Sequence, residues 1–107
     1  IQAMEFTELR ILSSLATGKN VGPESSLLKC RGTELQQMLT ELTLEAVGNY
    51  SMPFDNTGPI KGLNNEPIGP DYAAVAAPQY FNTRKVSIYA GSNEIQRNIM
   101  AKMVLGL

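Results

Sequence analysis

Between Pro23 and Gly48 the chain carries one apolar stripe at helical spacing, and that run decides what kind of fold the remaining residues can join. Leu28, Leu35, Leu39, Leu42 and Ala46 fall on one face, Leu27, Met38 and Val47 lie beside them, and Glu34, Gln37 and Glu41 are predicted to stay in water. Pro23 suits the first turn of such a helix, because the N–H it lacks would have no partner there, and Glu24 adds a favourable charge at the positive end of the helix dipole. Gly48-Asn49 stops the run. Upstream, Met4, Ile11 and Leu15, widened by Leu9, Leu12 and Ala16, predict an earlier helix that closes at Thr17-Gly18-Lys19-Asn20. Gly18 suits the left-handed position after a helix end, and Lys19 complements the negative end of the dipole. Two helices joined by so short a turn form a hairpin that cannot bury both stripes, so at least one more helix is required.

That helix comes from the C-terminal run, where Ser87-Ile88-Tyr89-Ala90-Gly91-Ser92-Asn93-Glu94-Ile95-Gln96-Arg97 leads into an aliphatic tail. Gly91 permits close approach or a positive φ, Ser92 can cap the first turn, and Ile95, Ile99 and Met103 recur on what is predicted to be the inward face. The helix N-terminus points unpaired N–H groups at the turn, a setting for an electron-rich or phosphorylated ligand. On local chemistry alone the same residues read as an ordinary capped helix start. Before them, residues 51–79 bring Pro53, Pro59, Pro67, Pro70 and Pro78 together with Gly58, Gly62 and Gly69 and hold no apolar period. The expectation is an ordered crossover whose least ordered part lies between Ser51 and Pro70, a brief helical turn at residues 72–77, and a helix from Tyr80. The chain therefore predicts an all-α fold: part of a four-helix up-and-down bundle with one long Pro/Gly-rich connection, and helices over about 3–17, 23–48, 80–89 and 92–105.

Size and composition narrow the function classes. With 107 residues, 43% of them hydrophobic, one small domain is the ceiling. A net charge of −1 with scattered acidic and basic residues argues against nucleic acid or an anionic membrane as partner. No targeting segment or membrane-length apolar run is present, so the expectation is a soluble, cytoplasmic protein. The absence of histidine and the single cysteine, Cys30, leave no metal ligand set and no internal disulfide; any proton transfer falls to carboxylates, Lys or Tyr. Cys30 reads as a small core hydrophobe, Met38, Met100 and Met103 as core filler, and Arg84-Lys85 and Arg97 as a solvated face or subunit contacts. Ile rather than Met at position 1 reads as the mark of a piece cut from a longer chain.

The run from Ile88 to Arg97 resembles the C-terminal signature of the acyl-CoA dehydrogenases, Ile-Tyr-Glu-Gly-Thr-(Ser/Asn)-(Glu/Gln)-Ile-Gln-Arg followed by an aliphatic helix. It departs at Ala90, where many members carry the catalytic Glu, and at Ser92, where Thr is usual. The resemblance implies the C-terminal helical bundle domain of an FAD-dependent enzyme that oxidises the Cα–Cβ bond of an acyl-CoA thioester. Such enzymes pass electrons to electron-transfer flavoprotein or a similar acceptor and work as homo-oligomers, dimers or tetramers. Substrate contacts are implied at Tyr89, Ala90 and Gly91, with the thioester oxygen polarised by the backbone N–H of residue 90 and a flavin ribityl hydroxyl. Cofactor contacts are implied at Ser92, Asn93 and Glu94. Ala90 cannot take a proton, so no catalytic residue is assigned within the chain; branched-substrate and long-chain relatives place the base on the preceding bundle helix, which would lie before Ile1. The stretch from Lys29 also resembles the family's second long bundle helix, which has a Lys near its start and ends in a Gln-Ile-Leu-Gly-Gly-x-Gly turn at the FAD pyrophosphate of a neighbouring subunit. Here that turn reads Glu45-Ala46-Val47-Gly48-Asn49-Tyr50-Ser51, with a negative charge in place of Gln and two of the glycines lost.

Two further readings stay open at this level: a self-sufficient helical module that associates with copies of itself, and a base-less partner subunit of a heteromeric dehydrogenase. The isolated chain is expected to be inactive. Three amphipathic helices without a fourth leave an apolar groove that a copy can fill, so sedimentation at tens of micromolar is expected to find self-association. A clean monomer would mean that the long connection covers the groove instead.

Overall fold

The computed structural model describes residues 1–53, 66 and 68–107, so the expectation of least order between Ser51 and Pro70 falls mostly outside the described residues. Four α-helices and no strand are found among them: α1 (Gln2–Ala16), α2 (Glu24–Val47), α3 (Ala76–Thr83) and α4 (Asn93–Leu105). Short 3₁₀ turns lie at Gly48–Ser51, Ala73–Val75 and Arg84–Ser87. The fold is all-α. None of the described helices is long and apolar enough to cross a membrane.

The helix ends follow their local chemistry. Thr17 caps α1 and Gly18 takes φ +78°, the left-handed geometry for which glycine carries no Cβ penalty. Pro23 stands one position earlier than expected: its carbonyl accepts the Leu27 N–H at 3.2 Å, which makes it the cap of α2 rather than its first helical residue. The helix expected over 80–89 is the larger correction. It begins at Ala76, because Pro78 falls in the first helical turn, where a missing N–H costs nothing. It tightens into the 3₁₀ turn at Arg84–Ser87 and ends there, leaving Tyr89 outside any helix.

Residues Leu35–Val86 form one compact unit and Ile1–Glu34 with Ser87–Leu107 another. In the first, Val47, Ala73 and Ala76 are buried together with Leu44 packed on them. Two alanines let backbones come close but bury little apolar area, and polar contacts add to the packing. Arg84 Nη2 donates to the Gln37 carbonyl at 2.7 Å and to Thr40 Oγ1 at 2.9 Å, while Gln37 Nε2 donates to the Arg84 carbonyl at 3.1 Å. The guanidinium also lies 4.2 Å from the Tyr80 ring centroid. Arg84, expected on a solvated face, is a half-buried brace.

In the unit of Ile1–Glu34 and Ser87–Leu107, α1 buries no residue, and its least exposed side is Met4, Thr7, Ile11 and Ser14. Here α2 meets α4 through polar groups, with Cys30 and Asn93 both buried. This overturns the predicted inward faces. Ile95 and Met103 are exposed, and the less exposed side of α4 runs through Asn93, Gln96 and Met100. On α2, Leu39 and Leu42 are 53% and 52% exposed. The withdrawn face is instead Ser26, Cys30, Thr33, Gln37, Thr40, Leu44 and Val47, at alternating steps of four and three residues. Buried polar groups that would be costly to leave unpaired outrank an apolar stripe that has no facing partner among the described residues.

Replacing Arg84 by Met keeps the stem but removes the charge-assisted bonds and the ring contact. The expected loss is about 2–3 kcal/mol, read as a lower urea midpoint. Arg84→Lys should recover only part of it, since a point charge lacks the planar fork.

Candidate functional site

The turn between Ser87 and α4 is built around two consecutive left-handed residues. Gly91 has φ +86°, and Ala90, at φ +56°, is the one non-glycine residue with positive φ among those described. For a residue with a Cβ that conformation costs about 1–2 kcal/mol, so the surroundings have to hold it. Lys29, one helical turn into α2, does so from below: Nζ donates to the Ser87 carbonyl at 3.2 Å and to Asn93 Oδ1 at 2.8 Å. Those two acceptors flank the turn. Asn93, 6% exposed, donates through Nδ2 to Thr33 Oγ1 at 3.0 Å, and the Thr33 hydroxyl donates to the Cys30 carbonyl at 2.9 Å. Cys30, 3% exposed, places Sγ 3.7 Å from the Asn93 carbonyl. On the other side Gln96 folds back over Gly91 and donates to the Ala90 carbonyl at 3.5 Å. A Cβ at residue 91 would come within 2.6 Å of Gln96 Nε2, the movable end of that side chain, so glycine is needed there chiefly for φ.

At the start of α4, Ser92 Oγ accepts the Ile95 N–H at 3.4 Å. Glu94 turns back on the same helix end. Its own backbone N–H holds its carboxyl below the ordinary value of 4.5, helped by the Ser92 hydroxyl and by the charges of Arg97 and Lys29. The end of the helix that would suit an incoming phosphate therefore already carries an anion. Arg97 pairs with Glu34 at 2.8 Å, and Glu34 with Arg31 at 2.9 Å, both near the surface, where such pairs contribute little.

Tyr89, Ala90 and Gly91 form one contiguous exposed edge, with Ser92 half-exposed and Glu94 exposed beside it. Asn93, expected among the ligand contacts, has its side-chain amide spent inside the protein; only its backbone remains for a ligand. Sequence reasoning misses Lys29, Thr33 and Gln96 as parts of the turn. The signal for Thr33 is its place on the polar α2 face, which Lys29 borders. The edge fits a ligand that meets backbone and offers hydroxyl donors to Ser92 and the Glu94 carboxylate, as a polyol does; it does not suit a phosphate. Chemically it presents exposed backbone at Ala90, with no proton acceptor on the side chain of residue 90 itself.

The segment expected at the FAD pyrophosphate folds otherwise than as a glycine-rich turn. Gly48–Ser51 is a 3₁₀ turn in which Ser51 Oγ donates to the Gly48 carbonyl at 2.7 Å, and the Tyr50 ring lies against Gly69. A cavity of about 200 Å³ at the α1–α2 turn is lined by Arg10, Lys19 and Glu24 among others. No residue of 87–97 borders it, so it is separate from this turn. Among the described residues no cluster of His, Cys, Asp and Glu is able to hold a metal ion.

Residues 1–105 match the family model described as acyl-CoA dehydrogenase, C-terminal domain. No curated protein and no solved structure matches the chain.

A depressed carboxyl stabilises the fold above its unfolded pKa, and that contribution is lost as the pH falls through the folded value. Glu94 should thus titrate below 4.5 by NMR. Ser92→Ala should move it up towards that value and destabilise the protein by about 1 kcal/mol through loss of the cap. An unmoved Glu94 titration would remove the Ser92 hydroxyl from the cause.

Proposed function

Because the chain belongs to the acyl-CoA dehydrogenase C-terminal domain family, we propose that it is the helical part of an FAD-dependent enzyme that forms a double bond between Cα and Cβ of an acyl-CoA thioester. The observation that carries the reading is the braced turn before α4, which holds an exposed left-handed Ala90 between two anchored ends. Tyr89, Ala90 and Gly91 receive the thioester. The Ala90 N–H donates to its oxygen, where negative charge develops as the α-proton leaves, and a donor already in place reorganises little during the reaction. Ser92, the backbone of Asn93 and the Glu94 carboxylate receive the cofactor's polar groups. The chemistry that FAD supplies when bound is acceptance of the hydride from Cβ.

Ala90 carries no base, so the α-proton passes to a carboxylate on another segment of the parent protein. Electrons leave for electron-transfer flavoprotein or a similar acceptor, and the exposed apolar faces of the helices pack in a homo-oligomer, a dimer or tetramer in the cytoplasm. The isolated chain is inactive. The missing base favours one second reading, a subunit that binds flavin and substrate but relies on a partner chain for the proton.

A positioned general base contributes roughly 10²–10⁴-fold, so the readings separate clearly. Parent protein purified with FAD and mixed with acyl-CoA thioesters of varied length and branching is expected to bleach the flavin. Bleaching only after a partner chain is added would select the second reading. Persistent flavin colour under both conditions would overturn the proposal.

A further inference from the structure

We propose that Lys29 is a positioning residue for this turn: its ammonium ties together the two ends of residues 88–92 and so keeps Ala90 left-handed. The catalytic part of this inference rests on the function proposed above; the structural part does not. Lys29 is half-buried, and its two acceptors are the Ser87 carbonyl before the turn and Asn93 Oδ1 after it. One group therefore spans five intervening residues, two of them at positive φ. Gln96 holds the Ala90 carbonyl only across 3.5 Å, a distance at which a hydrogen bond is weak. The Ser92 cap lies beyond the strained residues. Without the ammonium, Thr33 still ties Asn93 to α2, but the bridge from Asn93 to the Ser87 carbonyl is gone. The distance between those ends is then less firmly set. Ala90 can leave a conformation that costs an L-residue energy, and its N–H swings away.

The side chain of residue 29 also has to reach two acceptors at once, which a neutral amide one bond shorter cannot do with the same strength. Lys29 touches neither thioester nor flavin in this scheme. Its effect passes through the backbone of Ala90, and that separates it from a catalytic residue.

Two measurements on the FAD-loaded parent test this. The short intraresidue HN–Hα distance that a positive φ imposes at Ala90, read as a strong NOE, is expected to lengthen in Lys29→Met, with the NOE pattern of the middle of α2 unchanged. In the same variant kcat for thioester dehydrogenation is expected to fall at least tenfold with KM changed less than threefold. The loss should be smaller when Lys29→Met is made in the Ala90→Gly background, since glycine takes the left-handed angle without help. Should Lys29→Met not fold, Lys29→Gln keeps a polar group in the half-buried site and carries the same expectations. An unchanged HN–Hα distance at Ala90 would overturn the positioning role. A lengthened distance with full kcat would uphold it and refute the part given to the turn in catalysis. Equal losses of kcat with and without the Ala90→Gly substitution would mean that Lys29 acts by some route other than the angle at Ala90, and would overturn the inference.

Discussion

The amide of Asn93 is buried, and a buried amide has to find its partners inside the protein. It accepts from the Lys29 ammonium and donates to Thr33, which sets the rotation of α4 about its own axis. With Asn93 turned towards α2, geometry places Gln96 and Met100 on the same side and puts Ile95 and Met103 on the other. The same contact fixes where α4 begins, and therefore where the turn before it must end. Ser92, Glu94 and Gln96 then complete the first helical turn by local bonds that need no distant partner.

This explains why the helices are legible in the sequence while their faces are not. Apolar period and end signals locate α1, α2 and α4, since backbone hydrogen bonding is local and Gly18 and Ser92 act on their own neighbours. Which side turns inward depends on what each side meets. The leucines of α2 form the stronger stripe, yet Ser26, Cys30, Thr33, Gln37 and Thr40 share the withdrawn face. Up to Thr40 each side chain of that face is small or polar, and only Leu44 and Val47 at its end are aliphatic, so an apolar count ranks it low. A periodicity of hydrogen-bonding and small residues at steps of four and three is present to be read. At α3 the difficulty is different: by composition Pro78 closes an irregular stretch, whereas a proline is equally at home in the first turn of a helix.

Within the site, the signature residues are recognisable one by one, but their division of labour is not. Gly91 is expected to let a ligand approach, and it also makes room for Gln96. Asn93 is expected to face a cofactor, and its side chain faces Lys29 and Thr33. The N-terminus of α4 is expected to attract an anion, and Glu94 supplies one from within the chain. In all three cases the deciding contact joins residues of the turn either to one another across a fold-back or to α2 some sixty positions away, as the separations of Lys29 and Thr33 from Asn93 illustrate. Neither kind of contact leaves a trace in local spacing.

The left-handed angle at Ala90 bears on how such a site can change over generations. The steric cost of that angle arises at Cβ, an atom that alanine and glutamate share, so exchanging one for the other leaves the backbone energy of the turn nearly untouched. A β-branched residue would be excluded. The codons for alanine and glutamate can differ by a single nucleotide. A carboxylate can thus be fitted to or removed from this position in one step while the backbone keeps its shape, which makes the turn a reusable socket.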